Sequence, residues 1–144
     1  MTDILVKHAR IIDGTQDRAK DAIDIRLADG HVQEVGASLS APNTATVIDA
    51  KNSFVMPGLI DAHVHVNAQN ANLKENTALP DAISTVGTMN LMQAMLARGF
   101  TTVRDLGGAT GPLRTAMEMA PVPLPRLNIC GKALSQTGGH SDQR

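Results

Sequence analysis

Gly58-Leu59-Ile60-Asp61-Ala62-His63-Val64-His65-Val66 decides how this chain is read. The stretch spells a short strand that ends in two histidines two residues apart. Side chains alternate faces along a strand, so Leu59, Asp61, His63 and His65 share one face. Ile60, Ala62, Val64 and Val66 share the other. All four are apolar, which suits packing against a layer of helices. The first face suits the inside of a barrel whose mouth holds the histidines. Two imidazoles at this spacing can chelate one divalent metal without bending the backbone. The same pair can also be two hydrogen-bonded, buried histidines. What favours the metal is the context: Pro57-Gly58 breaks the chain just before the strand, and strand-and-helix units follow, as an α/β barrel requires.

Downstream, Asn67 to Asn76 is polar and rich in Asn, and reads as a loop at the barrel mouth or on the plain surface. Asp81 to Arg98 reads as a helix after Pro80. Ile83, Val86, Met89 and Met95-Leu96 give it a rough apolar stripe, and Gly99 is placed to end it. Its methionines suit core filling better than ligation. Phe100 to Leu106 is a second strand, followed by Gly107-Gly108. Gly111-Pro112 opens a second helix that runs to about Met119. After Pro121, Pro123 and Pro125, Arg126 to Gly131 is a third strand leading into Gln136-Thr137-Gly138-Gly139-His140.

Upstream, residues 1–57 read as all-β. Ile4 to Ile12 is a β-branched run. Ala22 to Ala28 alternates, with Ile23, Ile25 and Leu27 on one face. Asp29-Gly30 is a strong two-residue hairpin signal before His31 to Val35. Thr46 to Ile48 and Ser53 to Met56 are shorter strands.

Three motifs together resemble the metal-dependent amidohydrolase superfamily. Phe54-Val55-Met56-Pro57-Gly58-Leu59-Ile60-Asp61-Ala62-His63-Val64-His65 is similar to that family's first barrel strand. Phe100-Thr101-Thr102-Val103-Arg104-Asp105-Leu106-Gly107-Gly108 is similar to the second. Leu134-Ser135-Gln136-Thr137-Gly138-Gly139-His140-Ser141-Asp142 is similar to the loop after the third, in the branch holding imidazolonepropionase and the Xaa-Pro dipeptidases. The resemblance implies an α/β chain. Residues 1–57 would be the N-terminal part of a composite β-sandwich. Residues 58–144 would be the first part of a (β/α)8 barrel, with about three strands and two helices.

The resemblance also implies a chemistry. His63 and His65 would ligate a divalent metal, zinc first among the candidates, with one or two ions in the parent enzyme. The metal would activate a water for attack on the carbonyl carbon of an amide, peptide or cyclic amide C–N bond. His140 would contact the carbonyl or carboxylate of a small or dipeptide-like substrate. Asp61 would hold an imidazole in orientation, or pair with an inward arginine. Arg104 and Asp105 would line the site or pair with each other. Lys132 is set aside, because the family's bridging lysine belongs to strand four and Lys132 follows strand three.

A (β/α)8 barrel typically needs about 250 residues, and this chain has 144 in all. The family's other ligands are a lysine on strand four, a histidine on each of strands five and six, and an aspartate on strand eight. They would lie beyond Arg144, so no catalytic residue is assigned within the chain. Two histidines fall short of the three protein ligands usual for catalytic zinc. Two other readings therefore stand beside an N-terminal portion of an amidohydrolase: an inactive truncated fragment, and one half of a split enzyme. Open barrel edges would favour self-association.

Composition narrows the partners. A net charge of −1 carries no electrostatic footprint for nucleic acid or an anionic membrane. Phe54 and Phe100 are the only aromatics, so base-stacking platforms are implausible. Cys130 is the single cysteine, which rules out an internal disulfide and suits a reducing, cytoplasmic setting. The N-terminus lacks the basic start and apolar core of a signal peptide. No apolar run reaches the length of a membrane span.

Overall fold

The computed structural model describes residues 3–139, apart from the side chains of Leu73 and Lys74. The chain is mixed α/β and divides into two compact units, Met1–Pro57 and Gly58–Arg144.

The first unit holds β1 (Ile4–Ile11), β2 (Lys20–Ala28), β3 (His31–Gly36), β4 (Thr46–Asp49) and β5 (Phe54–Val55). They form one sheet in the order β3-β2-β1-β4, with β5 also pairing β1. The β1–β2 and β2–β3 pairs are antiparallel, whereas β4 and β5 run parallel to β1. Asp29 and Gly30 both take positive φ, 53° and 75°, as a tight turn matched to strand twist requires. Asp24 is buried and accepts the backbone N–H groups of His8 and Leu39, each at 3.0 Å, so its charge is compensated without a cation. On the surface, the Lys20 ammonium beside Asp13, helped by Thr15, holds that carboxyl below the usual carboxylate range.

The second unit carries the histidine stretch. Its elements are β6 (Leu59–Val64), α1 (Leu73–Ala78), α2 (Asp81–Ala97), β7 (Phe100–Asp105), α3 (Gly111–Glu118) and β8 (Arg126–Ile129). The three strands form a parallel sheet in the order β6-β7-β8. Parallel neighbours need long crossovers, which α1 with α2 and then α3 supply. Gly58 enters β6 where a Cβ would run into the side chain of Thr101 on the neighbouring strand, so a larger residue there would force the strands apart.

Three details depart from the sequence expectation. The Asn-rich segment contains a short helix, α1. Asn72 accepts the Glu75 N–H at 3.4 Å and returns a bond to the Glu75 carboxylate at 2.8 Å, a reciprocal cap that was legible as Asn-x-x-Glu. The buried stripe of α2 runs through Thr88, Met92 and Met95, while Ile83 and Val86 are more than half exposed. An i, i+4, i+7 row meets the sheet, and Ile83 and Val86 lie off that row. Finally, the apolar face of β6 is buried only at its C-terminal end. Val66 is fully enclosed and Val64 packs on the core, but Ile60 is 70% exposed and Ala62 is exposed. The reason is helix cover: α2 packs on β7, and α3 packs on β8.

The core gathers Val66, Met92, Met95, Val103, Ala109, Met117 and Leu127. Its methionines fill space, as their flexible, unbranched side chains allow. No helix among the described residues is long and apolar enough to cross a membrane.

Candidate metal centre

His63 lies near the C-terminal end of β6, and His65 follows one residue past it. Both side chains are exposed. Their rings stand edge to face with centroids 5.7 Å apart. That spacing lets both reach one ion at the roughly 2.0–2.1 Å of a zinc–imidazole bond.

The neighbours set the histidines' orientation. His65 Nδ1 lies 2.9 Å from the Gly107 carbonyl oxygen. A carbonyl only accepts, so Nδ1 carries the proton. In the neutral ring, Nε2 then keeps its lone pair for a ligand. Asp61 is half-buried, and its carboxylate accepts the backbone N–H of His63 at 3.1 Å. Its grip on His63 is through the main chain. Arg104 donates Nε–H to the Ala62 carbonyl at 3.0 Å and is exposed, whereas its neighbour Asp105 is fully buried. Adjacent strand residues face opposite ways, so Arg104 and Asp105 do not pair with each other.

Asp105 instead receives three backbone N–H groups, from Val66 at 2.8 Å, Gly107 at 2.9 Å and Ala109 at 3.1 Å. Burying a carboxylate is costly unless it is fully hydrogen-bonded, and these bonds meet that cost. Gly108 takes φ +115°, and a Cβ there would press on the Asn67 side chain, 2.6 Å from its Oδ1. Gly108 thus lets the loop after β7 lie against the loop after β6, while Gly107 faces Ala133, which follows β8. Beside them lies a cavity of about 580 Å³ lined by Asn67, Asn76, Asp81, Ser84, Thr85 and Thr110 among others. It carries hydroxyls, amides and one carboxylate.

Among the described residues no group of three or more His, Cys, Asp or Glu is placed to hold a metal. The pair therefore fits as part of a donor set. His140 lies outside the described residues. Lys132 is exposed and Cys130 is a free, exposed thiol.

The profile of the amidohydrolase family matches residues 54–142, most of the chain and both histidines. The chain belongs to the amidohydrolase family.

The chain is also similar to particular members of the family. A dihydroorotase from Geotalea daltonii is 40% identical over 101 residues, which is 70% of this chain and 21% of that protein. The crystal structure of an amidohydrolase superposes with a TM-score of 0.91 at 43% identity, covering 99% of this chain and 35% of that one. A prolidase crystallised with N-methylphosphonate-L-proline gives 0.90 at 40% identity, with the same coverage. The chain thus spans about a fifth of the curated relative and about a third of the solved ones.

Proposed function

We propose that this chain supplies the first three strands of a (β/α)8 amidohydrolase barrel, and that His63 and His65 hold a divalent metal, zinc first. The reaction served is hydrolysis of an amide-type C–N bond in a small peptide, a cyclic amide or an imidazolone-like substrate. One observation carries the reading: two exposed imidazoles, 5.7 Å apart at a strand's end, one with Nδ1 engaged and Nε2 open. A bound divalent ion would activate water and polarise the substrate carbonyl. The chain's own residues hold and orient the imidazoles. His65 is held by Gly107, and the His63 backbone by Asp61. His140, outside the described residues, is proposed to meet the substrate's carbonyl or carboxylate. Further ligands and the proton-transferring acid would come from later barrel strands or from a partner chain. The prolidase relative favours a dipeptide substrate, and the dihydroorotase relative a cyclic amide.

The test is metal-dependent turnover by the intact protein on Xaa-Pro and other dipeptides, cyclic amides and imidazolones. Stimulation by zinc or manganese on one class is the expected result. Absence of metal-stimulated hydrolysis on every class would defeat the reading. The 144-residue chain assayed alone should turn over none of them. Turnover by the isolated chain that vanishes in His63→Ala would show that its own residues complete the site.

The isolated chain is also expected to self-associate. Strands β6 and β8 both end the sheet, and Leu59 and Ile60 on β6 are 41% and 70% exposed. Open edges with apolar side chains recruit further strands. Size-exclusion chromatography with light scattering should give oligomers. Detection is by refractive index, because the chain has no Trp or Tyr. A sharp monomer that unfolds cooperatively would count against the open-barrel reading.

A further inference from the structure

The carboxylate of Asp105 is buried at 0% exposure in a core that is otherwise apolar apart from Thr88. A carboxylate is an expensive way to staple a loop, so its bonding pattern deserves a functional explanation. Oδ2 accepts the N–H of Val66, the residue directly after His65. Oδ1 accepts the N–H of Gly107, whose carbonyl takes the proton on His65 Nδ1. Oδ1 also accepts from Ala109, which closes the loop behind Gly107. One rigid group therefore grips His65 from two sides: the peptide that leaves it, and the carbonyl that its ring addresses. Asp105 is itself fixed, because its backbone carbonyl accepts the Cys130 N–H at 3.0 Å and it pairs with Ile129 in the β7–β8 ladder.

We infer that Asp105 is the positioning residue for His65. Through Gly107 and Val66 it holds the imidazole in the Nδ1–H tautomer, with Nε2 open toward the metal proposed above. The inference rests on that metal reading for its purpose, but the tautomer is a property of the chain alone. Partners behind a ligating histidine commonly set ring orientation and basicity. Here the partner acts at one remove, through main chain. An asparagine would occupy the same volume but offer one acceptor oxygen, and its amide would face an N–H. It could not satisfy Val66 and Gly107 together.

The experiment uses the intact protein labelled with ¹⁵N at histidine, metal-free, at about pH 8, above the ordinary histidine pKa near 6.5. Long-range ¹H–¹⁵N correlation should show His65 protonated at Nδ1 and bare at Nε2. A wild-type His65 protonated at Nε2 would overturn the inference without any variant. In Asp105→Asn the Nε2–H tautomer should appear, and calorimetric affinity for zinc alone should fall by roughly 10- to 100-fold. Asp24→Asn is the comparator, since Asp24 is also buried and bound by backbone N–H groups, but in the other unit. It should lower the thermal midpoint and leave tautomer and zinc affinity unchanged. Wild-type tautomer and affinity in a folded Asp105→Asn would refute the positioning role. Undiminished zinc affinity in His65→Ala would instead strike at the metal reading, leaving the tautomer result to stand or fall separately.

Discussion

His63→Ala and His65→Ala, each made in the intact protein, should reduce bound metal to background and lower kcat/KM by a factor on the order of 10³ or more. The magnitude follows from the several kcal/mol of charge stabilisation a catalytic metal supplies, at 1.36 kcal/mol per tenfold in rate. Each variant removes one of the two imidazoles whose rings lie 5.7 Å apart. Both are exposed in the 144-residue chain, so neither loss leaves a core cavity there. His140→Ala should behave differently, keeping the metal while losing kcat/KM. Mass-spectrometric metal analysis of the purified variants separates these outcomes. Full metal content in His65→Ala would contradict the ligand assignment, and metal loss in His140→Ala would make that residue a ligand.

Met92→Ala should cost about 2–5 kcal/mol of stability, the range for removing a large, fully enclosed aliphatic side chain. Met92 has no exposure and shares its cluster with Val66, Val103 and Leu127. It thus ties α2 into the core that β7, β8 and the segment just after β6 share. Met92→Leu keeps most of the volume and should cost under about 1.5 kcal/mol. Urea unfolding followed by circular dichroism gives both numbers. Val66 sits in the same cluster and follows His65 directly, so Met92→Ala should also weaken zinc binding, by less than His65→Ala does. A loss below about 1 kcal/mol in Met92→Ala would mean that the core is not centred on this side chain.

Much of the second unit could be read from periodicity and punctuation. Gly99, at φ +95°, ends α2 where the glycine stood. Pro112 sits in the first turn of α3, behind the Thr110 cap. Three strands were expected and three formed, in parallel. The α2 stripe was misread because apolar identity at Ile83 and Val86 says nothing about which row of the helix meets the sheet. Asp105 was legible as a residue of interest beside Arg104, but its role was not. No local pattern reveals that three N–H groups, one of them 39 residues away in the chain, converge on it.

What the sequence determined by itself was local and chemical. The alternation of Gly58–Val66 specifies a strand, the i, i+2 spacing sets two imidazoles side by side, and the motifs around them carry the amidohydrolase family. These follow from backbone geometry and side-chain identity over a few residues. Tertiary structure decided which groups surround those imidazoles. The loop after β7 folds against the end of β6, so Gly107 meets His65, Asp105 reaches Val66, and Gly108 makes room for Asn67. The burial of β6 was decided there too: the same apolar alternation is enclosed at Val66 and open at Ile60, because the helices pack on β7 and β8. Contacts between residues some forty positions apart depend on how strands pair and helices cross, and a short-range pattern does not encode that.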